Sequence, residues 1–239
     1  MDPLLLITAT PMEGRPVREA LQDLVVLDFP LGQLYRGALS QSPIFLAHLG
    51  IGKVNTAAGL ALALHYTRAS AVIQFGIGGA FPGSALGLGD VAVASSETHL
   101  DSGVRDRDGW QDMKALGFAL LEKDELYYNV FPTDPELSAK LARATGAVTA
   151  SFGTSETVTG RVDAASELFK RHHVLIESME GAAAVQVCTA LGVPFAEIRA
   201  VSNPVGERDK SHWNIPLAIQ NVDQAILTYM AAIKGEVTP

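Results

Sequence analysis

The side chains best suited to chemistry cluster towards the C-terminal end of the chain. Glu180 follows the apolar run 174–176 and begins an Ala-rich segment with helical character. A carboxylate there is either a charge favoured by the positive end of a helix dipole or a bidentate acceptor for two vicinal hydroxyl groups. Met179 beside it offers a polarizable apolar surface for a flat ring or the edge of a sugar. Together the two residues could hold a ligand that combines hydroxyl groups with a ring.

A second candidate group occupies the next apolar run, about one helix length further on. Arg199 lies within that run, where an unpaired cation would be costly. It is therefore expected to meet a carboxylate or a phosphate-like group, and Glu180 and Glu13 are the candidate partners. Ser202 and Asn203 end the run just before a proline, a placement that turn chemistry alone would explain.

Two further segments follow apolar runs in the N-terminal half. Glu13 is explained either as a charge at a helix start or as a carboxylate that takes a proton from water. Residues 76–79 are rich in glycine, which would let the backbone approach a ligand closely. Their spacing is not the G-x-G-x-x-G of dinucleotide-binding loops, and taken alone such segments are more often plain turns.

Short apolar runs alternate with helical patterns along most of the chain. The apolar runs are typical of strands buried on both faces, and they occupy residues 4–8, 43–49, 71–75, 89–94 and 194–201. The helical patterns occupy residues 15–24, 55–66, 134–145, 164–170, 180–191 and 216–234. This alternation predicts an α/β fold, with three αβα layers around a mixed and mostly parallel central sheet. Ligands of such sheets bind at the carboxyl ends of strands, where Glu13, Gly76 and Asn203 fall.

The chain is expected to form a single domain over residues 1–239, because no linker rich in Pro, Gly or Ser divides it. Hydrophobic residues make up 48% and charged residues 18%, a composition that provides a core and argues against disorder. Residues 105–131 have weak patterning, and we interpret them as a lid, an insertion or an oligomer contact.

Charge and cysteine content exclude several classes of function. A net charge of −8 without a Lys/Arg cluster disfavours nucleic acid as a partner. No apolar run is long enough for a membrane span, and no basic flank of a signal peptide is present, so we expect a cytoplasmic protein that does not bind membranes. Cys188 stands alone, which excludes an intrachain disulfide and a Cys-based zinc site. The histidines, including His99, His172 and His173, lack ligand spacing, so no metal or other cofactor is expected.

Five segments resemble the landmarks of the nucleoside phosphorylase and nucleosidase family, whose members break the bond between a base and its ribose. They extend over nearly the whole chain, at residues 50–55, 76–79, 88–91, 178–182 and 199–203. The resemblance implies a nucleoside phosphorylase-like fold, a small-molecule nucleoside and water as partners, and a homodimer or higher homo-oligomer.

The same resemblance assigns roles to individual positions. Glu180 would bind the ribose 2′ and 3′ hydroxyls, while Arg199 and Glu13 would hold the attacking water. Asn203 would stabilise the departing base. The remaining contacts would be Met179 on the sugar and base, Thr157, Val158 and Ser202 near the purine, Ile77, Gly78 and Gly79 beneath the sugar, and Ile51, Trp213 and Arg208 around the 5′ substituent.

Two departures from the family pattern are informative about the substrate. Adenine-specific members carry Asp where this chain has Asn203, and an amide donates to N7 and to a 6-oxo group, which favours a base such as hypoxanthine. Phosphorylases of the family place an Arg and a Ser where this chain has Gln74 and Ile77. Neither replacement carries a charge that could pair with phosphate, so water is the expected nucleophile.

Within the family, residues 9–13 and 202–209 with His212 and Trp213 are most similar to futalosine hydrolases, which act in the alternative menaquinone pathway. Their substrate ends in a carboxylate, and the candidate cations for it are Arg208, Lys210, His212 and Arg15. The alternatives are a methylthioadenosine/S-adenosylhomocysteine or aminofutalosine nucleosidase, a 6-oxopurine phosphorylase, and a nucleoside sensor without catalysis. The sensor is considered because Arg15 occupies the position where adenine nucleosidases have their catalytic Glu, two residues after Glu13.

Overall fold

The computed structural model describes residues 3–107 and 109–233. Within them no helix combines the length and apolar character needed to cross a bilayer. The strands are β1 Leu4–Thr8, β2 Gln22–Leu27, β3 Gln33–Leu39, β4 Ser42–His48, β5 Ala71–Ala80, β6 Val91–His99, β7 Gly103–Asp106, β8 Gly109–Asp112, β9 Leu121–Glu122, β10 Leu126–Tyr127, β11 Val130–Pro132, β12 Val148–Thr154, β13 Ile176–Ser178 and β14 Phe195–Pro204. The helices are α1 Arg15–Glu19, α2 Lys53–Thr67, α3 Met113–Leu116, α4 Pro135–Thr145, α5 Val162–His172, α6 Gly181–Leu191 and α7 Ile215–Ile233, and a 3₁₀ turn covers Lys210–His212.

Ten strands form one mixed sheet in the order β11-β6-β12-β13-β5-β1-β4-β3-β2. The tenth strand, β14, pairs in parallel with β5 and antiparallel with β6. Because β5 and β6 are also joined through β13 and β12, these five strands close into a ring. The sheet therefore has an open wing, β1 to β4, and a closed end.

Helices cover both faces of this sheet. Against one face, α1, α4 and α7 pack on a core that includes Phe75, Ile198 and Ile226. Against the other, α2 and α6 pack through Leu60 and Val185. Strands such as β1 and β5 give apolar side chains to both cores, as continuous apolar runs predict. The predicted three-layer α/β architecture around a mixed sheet is confirmed.

The N-terminal helical prediction extended too far. Helix α1 ends at Glu19, and the second half of the predicted helix 15–24 instead enters β2. The β-branched Val25 and Val26 pair with Arg36 and Tyr35 of β3, so ladder hydrogen bonds replace helical ones. Strands β2, β3, β12 and β13 were absent from the strand prediction; each is short or partly polar.

Residues 105–107 and 109–131 fold as an appendage of small elements. Strands β7 and β8 form a hairpin, and the Trp110 ring lies 5.9 Å from the Arg105 guanidinium and 6.0 Å from that of Arg171. The segment ends in β11, which joins the main sheet and buries Phe131. This end of the segment is part of the core. The interpretation of the rest as a lid or an oligomer contact stays a prediction.

Candidate active site

A cavity of about 320 Å³ opens at the carboxyl ends of β1, β5 and β14, beside the start of α6. This is where α/β sheets bind ligands. Residues from distant parts of the sequence converge there: Ala9, Thr10, Met12, Glu13, Ile51, Ile77, Gly78, Gly79, Val158, Thr159, Glu177, Ser178, Met179, Glu180, Arg199, Ser202, Asn203, Arg208, Trp213 and Ile215. The cavity thus gathers all of the predicted site residues except Thr157.

Arg199 is the buried centre of the cavity wall, with 1% of its surface exposed. Its Nη2 lies 3.2 Å from Glu180 Oε2, and its Nε donates to Glu197 Oε1 at 2.7 Å. A third bond runs from Nη1 to the Ile77 carbonyl oxygen at 3.0 Å. Burial acts to lower the pKa of Arg199, but the charges of Glu197, Glu180 and Glu13 outweigh it and raise that pKa. The guanidinium is therefore a fixed cation. Glu197 had not been expected as its partner.

Glu180 stands at the N-terminus of α6 with 4% of its surface exposed. Besides Arg199, its carboxylate accepts from the backbone N–H of Gly52 at 3.1 Å and of Met179 at 3.3 Å. Gly52 has φ +94°, a conformation that favours glycine, and this brings its N–H to the carboxylate. These bonds fix the orientation of Glu180 and occupy three of the four acceptor sites of its carboxylate. One site on Oε1 is free for a ligand hydroxyl, and a second hydroxyl would replace the long bond from the Met179 N–H on Oε2.

Glu13 lines the same cavity near Arg199, with 4% of its surface exposed. Its Oε2 accepts from the N–H and the hydroxyl of Thr10, each at 2.9 Å, and its Oε1 accepts from the N–H of Ile77 at 3.1 Å. Burial raises the pKa of Glu13, while the nearby Arg199 and the Ile77 N–H act to lower it. A carboxylate of raised pKa in a cavity is suited to accept a proton.

The loop after β1 decides between Glu13 and Arg15. A Cβ on Gly76 would come within 2.5 Å of Glu13 Oε1 and 2.9 Å of Arg199 Nη1, so the absence of a side chain there leaves room for both groups. Arg15 instead begins α1 and lines a separate cavity. The structure therefore places the earlier carboxylate in the site, although it stands two residues from the position that the resemblance favours.

Asn203 and Ser202 form the polar end of the cavity. The Ser202 hydroxyl lies 2.7 Å from Asn203 Oδ1 and 3.1 Å from the Gly78 carbonyl oxygen. Asn203 Nδ2 donates to the Pro204 carbonyl at 3.0 Å, and its second hydrogen can be donated to a ligand. A register shift in β14 just before Asn203 turns this side chain towards β5.

Glu177 is a cavity residue to which the sequence assigned no role. It is 7% exposed and accepts from the N–H of Thr159 at 3.1 Å and from the Thr159 hydroxyl. Burial raises the pKa of Glu177, while the bonds from Thr159 and the charge of Arg208 act to lower it. The available signal was an ionisable residue directly after the apolar run 174–176.

Thr157 does not line the cavity, whereas Thr159, two residues further on, does. A contact between Thr157 and the ligand stays a prediction. The carbonyl oxygen of Thr157 accepts from the Ser155 hydroxyl at 2.8 Å, closing a tight turn. The turn presents Val158 and Thr159, rather than Thr157, to the cavity.

The rim of the cavity is more open. Arg208 stacks on Trp213, with the guanidinium carbon 5.1 Å from the ring centroid, and Ile51 is 54% exposed. Lys210 and His212 are not among the lining residues. A second cavity of about 590 Å³ shares Met12 and Ile215 with the first and contains Arg15. Of the four candidate cations, Arg208 alone lines the first cavity. Across residues 3–107 and 109–233, no three His, Cys, Asp or Glu side chains are grouped to hold a metal ion.

The sequence model of the phosphorylase superfamily matches residues 3–233. The chain belongs to this superfamily. The fold expected from the resemblance is confirmed: a nucleosidase structure from Colwellia psychrerythraea, solved with adenine, covers 99% of this chain and is itself 98% covered, with a TM-score of 0.84 and 24% identity.

Superfamily relatives with names of known enzymes are also similar in sequence. Futalosine hydrolase of Thermus thermophilus is 36% identical over 206 residues, which cover 86% of this chain and 88% of the relative. The 5′-methylthioadenosine/S-adenosylhomocysteine nucleosidase of Haemophilus ducreyi is 25% identical over 232 residues, covering 94% and 96%. Both names denote N-glycosyl hydrolases, and the prediction of an enzyme of that class is confirmed.

Proposed function

We propose that this protein hydrolyses the N-glycosidic bond of futalosine, releasing hypoxanthine and dehypoxanthine futalosine, as a step of menaquinone biosynthesis. The observation that carries the proposal is the pair of side chains at the polar end of the cavity. Glu177 of β13 and Asn203 of β14 are both register partners of Gly79 in β5, one on each side of that strand. A base lying over Gly79 would therefore meet an amide on one side and a carboxylate on the other.

This pair complements a 6-oxopurine. Hypoxanthine presents acceptors at N7 and O6 and a donor at its ring N1–H. The free N–H of Asn203 can be shared between the neighbouring acceptors N7 and O6, and ionised Glu177 can accept from N1–H. Adenine presents a 6-amino donor and an N1 acceptor instead, so a donor would face a donor and an acceptor would face an acceptor. Such unpaired polar groups in a closed site lower the rate strongly.

The sugar and the water would be held at the other end. Glu180 would accept from the ribose 2′ and 3′ hydroxyls, with Met179 packed against the ring. Water would add to C1′ as the C1′–N9 bond breaks and its electron pair passes to the base, while Glu13 accepts a proton from the water. Asn203 would donate a hydrogen bond to N7 as negative charge builds on the base.

Hydrolysis is favoured over phosphorolysis by the charges that line the cavity. The guanidinium of Arg199 already donates to Glu180, Glu197 and the Ile77 carbonyl, and Arg208 lies at the rim. Gln74, at one of the positions where phosphorylases place charged or hydroxyl side chains, is a buried amide. A phosphate next to the sugar would thus lack a free cation.

The rim would receive the 5′ substituent of futalosine. Ile51 and Trp213 offer apolar surface, and Arg208 is the cation proposed to pair with the terminal carboxylate. The partly exposed Ile51 leaves room for a second copy of the chain to complete this rim, and the homo-oligomer stays a prediction that light scattering after size-exclusion chromatography would test.

The test is the release of free base, followed by chromatography in phosphate-free buffer. Futalosine, aminofutalosine, methylthioadenosine and inosine are compared in parallel. Hypoxanthine from futalosine without added phosphate is the expected result. Release that requires phosphate would establish a phosphorylase, adenine from the amino substrates would establish an adenine nucleosidase, and no release from any of them would favour a nucleoside sensor.

A further inference from the structure

Behind the cavity wall lies a pair of carboxyl groups that the proposed reaction does not use. Glu97 of β6 and Glu197 of β14 are both 0% exposed. Glu97 Oε2 accepts from the Thr154 hydroxyl at 2.8 Å, and Glu197 Oε1 accepts from Arg199 Nε at 2.7 Å. The remaining oxygen of each, Glu97 Oε1 and Glu197 Oε2, is buried without a donor.

These two unpartnered oxygens meet at one place, the start of α6. A Cβ on Gly181 would collide with both of them, so the glycine leaves the space in which they face each other. Two ionised carboxylates could not remain together there without water, because each would be desolvated and they would repel one another. A single proton shared by the two oxygens neutralises one carboxylate and so removes the repulsion. It also makes one oxygen a hydrogen-bond donor to the other, so that neither is left without a partner.

We propose that Glu97 and Glu197 share a single proton, held on Glu97, and that they are positioning residues for Arg199. The assignment follows from their other partners. Glu197 contacts the guanidinium, which stabilises its ionised form, whereas Glu97 contacts only a neutral hydroxyl. Burial and then the neighbouring charge of Glu197 raise the pKa of Glu97 well above its ordinary value, which agrees with a protonated Glu97 at neutral pH.

The shared proton fixes the orientation of the Arg199 guanidinium. Protonated Glu97 donates to Glu197 Oε2, and this leaves Glu197 Oε1 to hold Nε of Arg199. With Nε and Nη1 fixed, Nη2 can only point towards Glu180, the proposed ribose-binding carboxylate. Glu13 is a further carboxyl group that interacts electrostatically with Arg199. The pair thus balances the guanidinium from behind, so that Glu180 and Glu13 are not its only counterions.

Two matched variants separate the roles of the pair. Glu97→Gln reproduces the shape and the donor of the protonated acid, so kcat/KM and its pH profile should stay within about two-fold of wild type. Glu197→Gln removes the charge that orients Arg199, and a displacement of Glu180 by about 1 Å can lower kcat/KM on the order of 10²-fold. It should also move the acid limb of the pH profile downwards, because Arg199, relieved of one anion, lowers the pKa of Glu13 further. A structural defect alone would not move that limb.

A substrate-free measurement tests the proton itself. Infrared spectra of wild type minus Glu97→Gln at neutral pH should show the carbonyl stretch of a buried, protonated carboxyl group. Burial and the charge of Glu13 raise the pKa of Asp223 to about 8, so its protonated carboxyl is present in both proteins and cancels in the difference. The kinetic predictions for the two variants rest on the proposed function, whereas this infrared band is measured without substrate and does not depend on it. Its absence, failure of Glu97→Gln to fold, or equal losses of activity in the two variants would overturn the inference.

Discussion

The part of the cavity around Glu180 and Arg199 differs from its rim in how firmly the side chains are held in place. At the end proposed to hold the sugar, Glu180 and Arg199 are almost fully buried and each is held by three hydrogen bonds. At the rim, Arg208 makes a cation–π contact with Trp213, and Ile51 is mostly exposed. Buried charges in a low-dielectric wall keep one geometry, whereas exposed side chains adapt to what binds. Chemistry is thus expected to depend on the fixed end, and the choice of 5′ substituent on the adaptable end.

The strongest test of this comparison is Glu13→Gln. Removing a general base typically costs 10²–10⁴-fold, so kcat should fall by about that factor while KM changes little. In wild type, activity requires ionised Glu13 and is lost as pH falls through its pKa. Because burial raises that pKa, the acid limb of kcat/KM should lie above the range of an ordinary glutamate. A pH–rate profile that shows no such limb would remove Glu13 from the base role.

Glu180→Gln tests the other fixed carboxylate. We expect a loss of roughly 10²-fold in kcat/KM, comparable to the removal of one transition-state contact. Arg199 keeps its bond to Glu197, so the variant should still fold, and thermal unfolding monitored by circular dichroism is the control. Turnover near the wild-type level in the folded variant would sink the ribose-binding role.

Asn203→Asp sharpens the comparison at the base. A carboxylate loses the amide donor to O6 and N7, so futalosine hydrolysis should weaken by about 1–3 kcal/mol of transition-state stabilisation. Relative activity on aminofutalosine should rise, because a carboxylate can accept from the 6-amino group. The ratio of kcat/KM for the two substrates is the measurement, and an unchanged ratio would refute the role assigned to Asn203.

The smallest effect is expected at the rim. Arg208→Ala should raise KM for futalosine about fivefold, with kcat nearly constant, because a partly exposed ion pair contributes at most about 1 kcal/mol. Inosine, which lacks the acidic substituent, should be hydrolysed by the variant as by wild type if the enzyme accepts it at all. Arg15→Ala is the matched control in the neighbouring cavity. An increase in KM for that variant instead would place the carboxylate beside Arg15.

Much of the difference between the buried part of the cavity and its rim could be predicted from the sequence. A polar side chain within an apolar run is costly to bury unless it binds a partner or a ligand. Arg199 carried that signal, Glu180 and Asn203 stood at the ends of apolar runs, and the structure places all three around one cavity. Glu197 carried it too, since it lies two residues before Arg199 in the same strand and side chains two apart share a face. The nearest counterion of Arg199 was not predicted, because Glu197 was not considered together with it.

Other features could not be read from local patterns. The choice between Glu13 and Arg15 depends on the path of an irregular loop, which only packing against β5 decides. The missed strands β2 and β3 pair in a hairpin of which β2 is exposed, whereas β3 buries Leu34, Tyr35 and Leu39. Their mixed polar and apolar sequences do not show the continuous apolar runs from which strands were predicted. The neighbouring places of Glu177 and Asn203 depend on β13 and β14 pairing with the same strand, which is a matter of topology.

The closed ring of strands also has a consequence for the order in which the molecule can assemble. Strand β14 joins β5 to β6, yet it follows every other strand that the structure describes and contains Glu197, Arg199 and Asn203. During synthesis, β5 and β6 are made before β14, so the edges that will pair with β14 stay unpaired until it is complete. Contacts between such distant segments form slowly. A nascent chain that ends before residue 195 can therefore have most of its sheet and no working pocket.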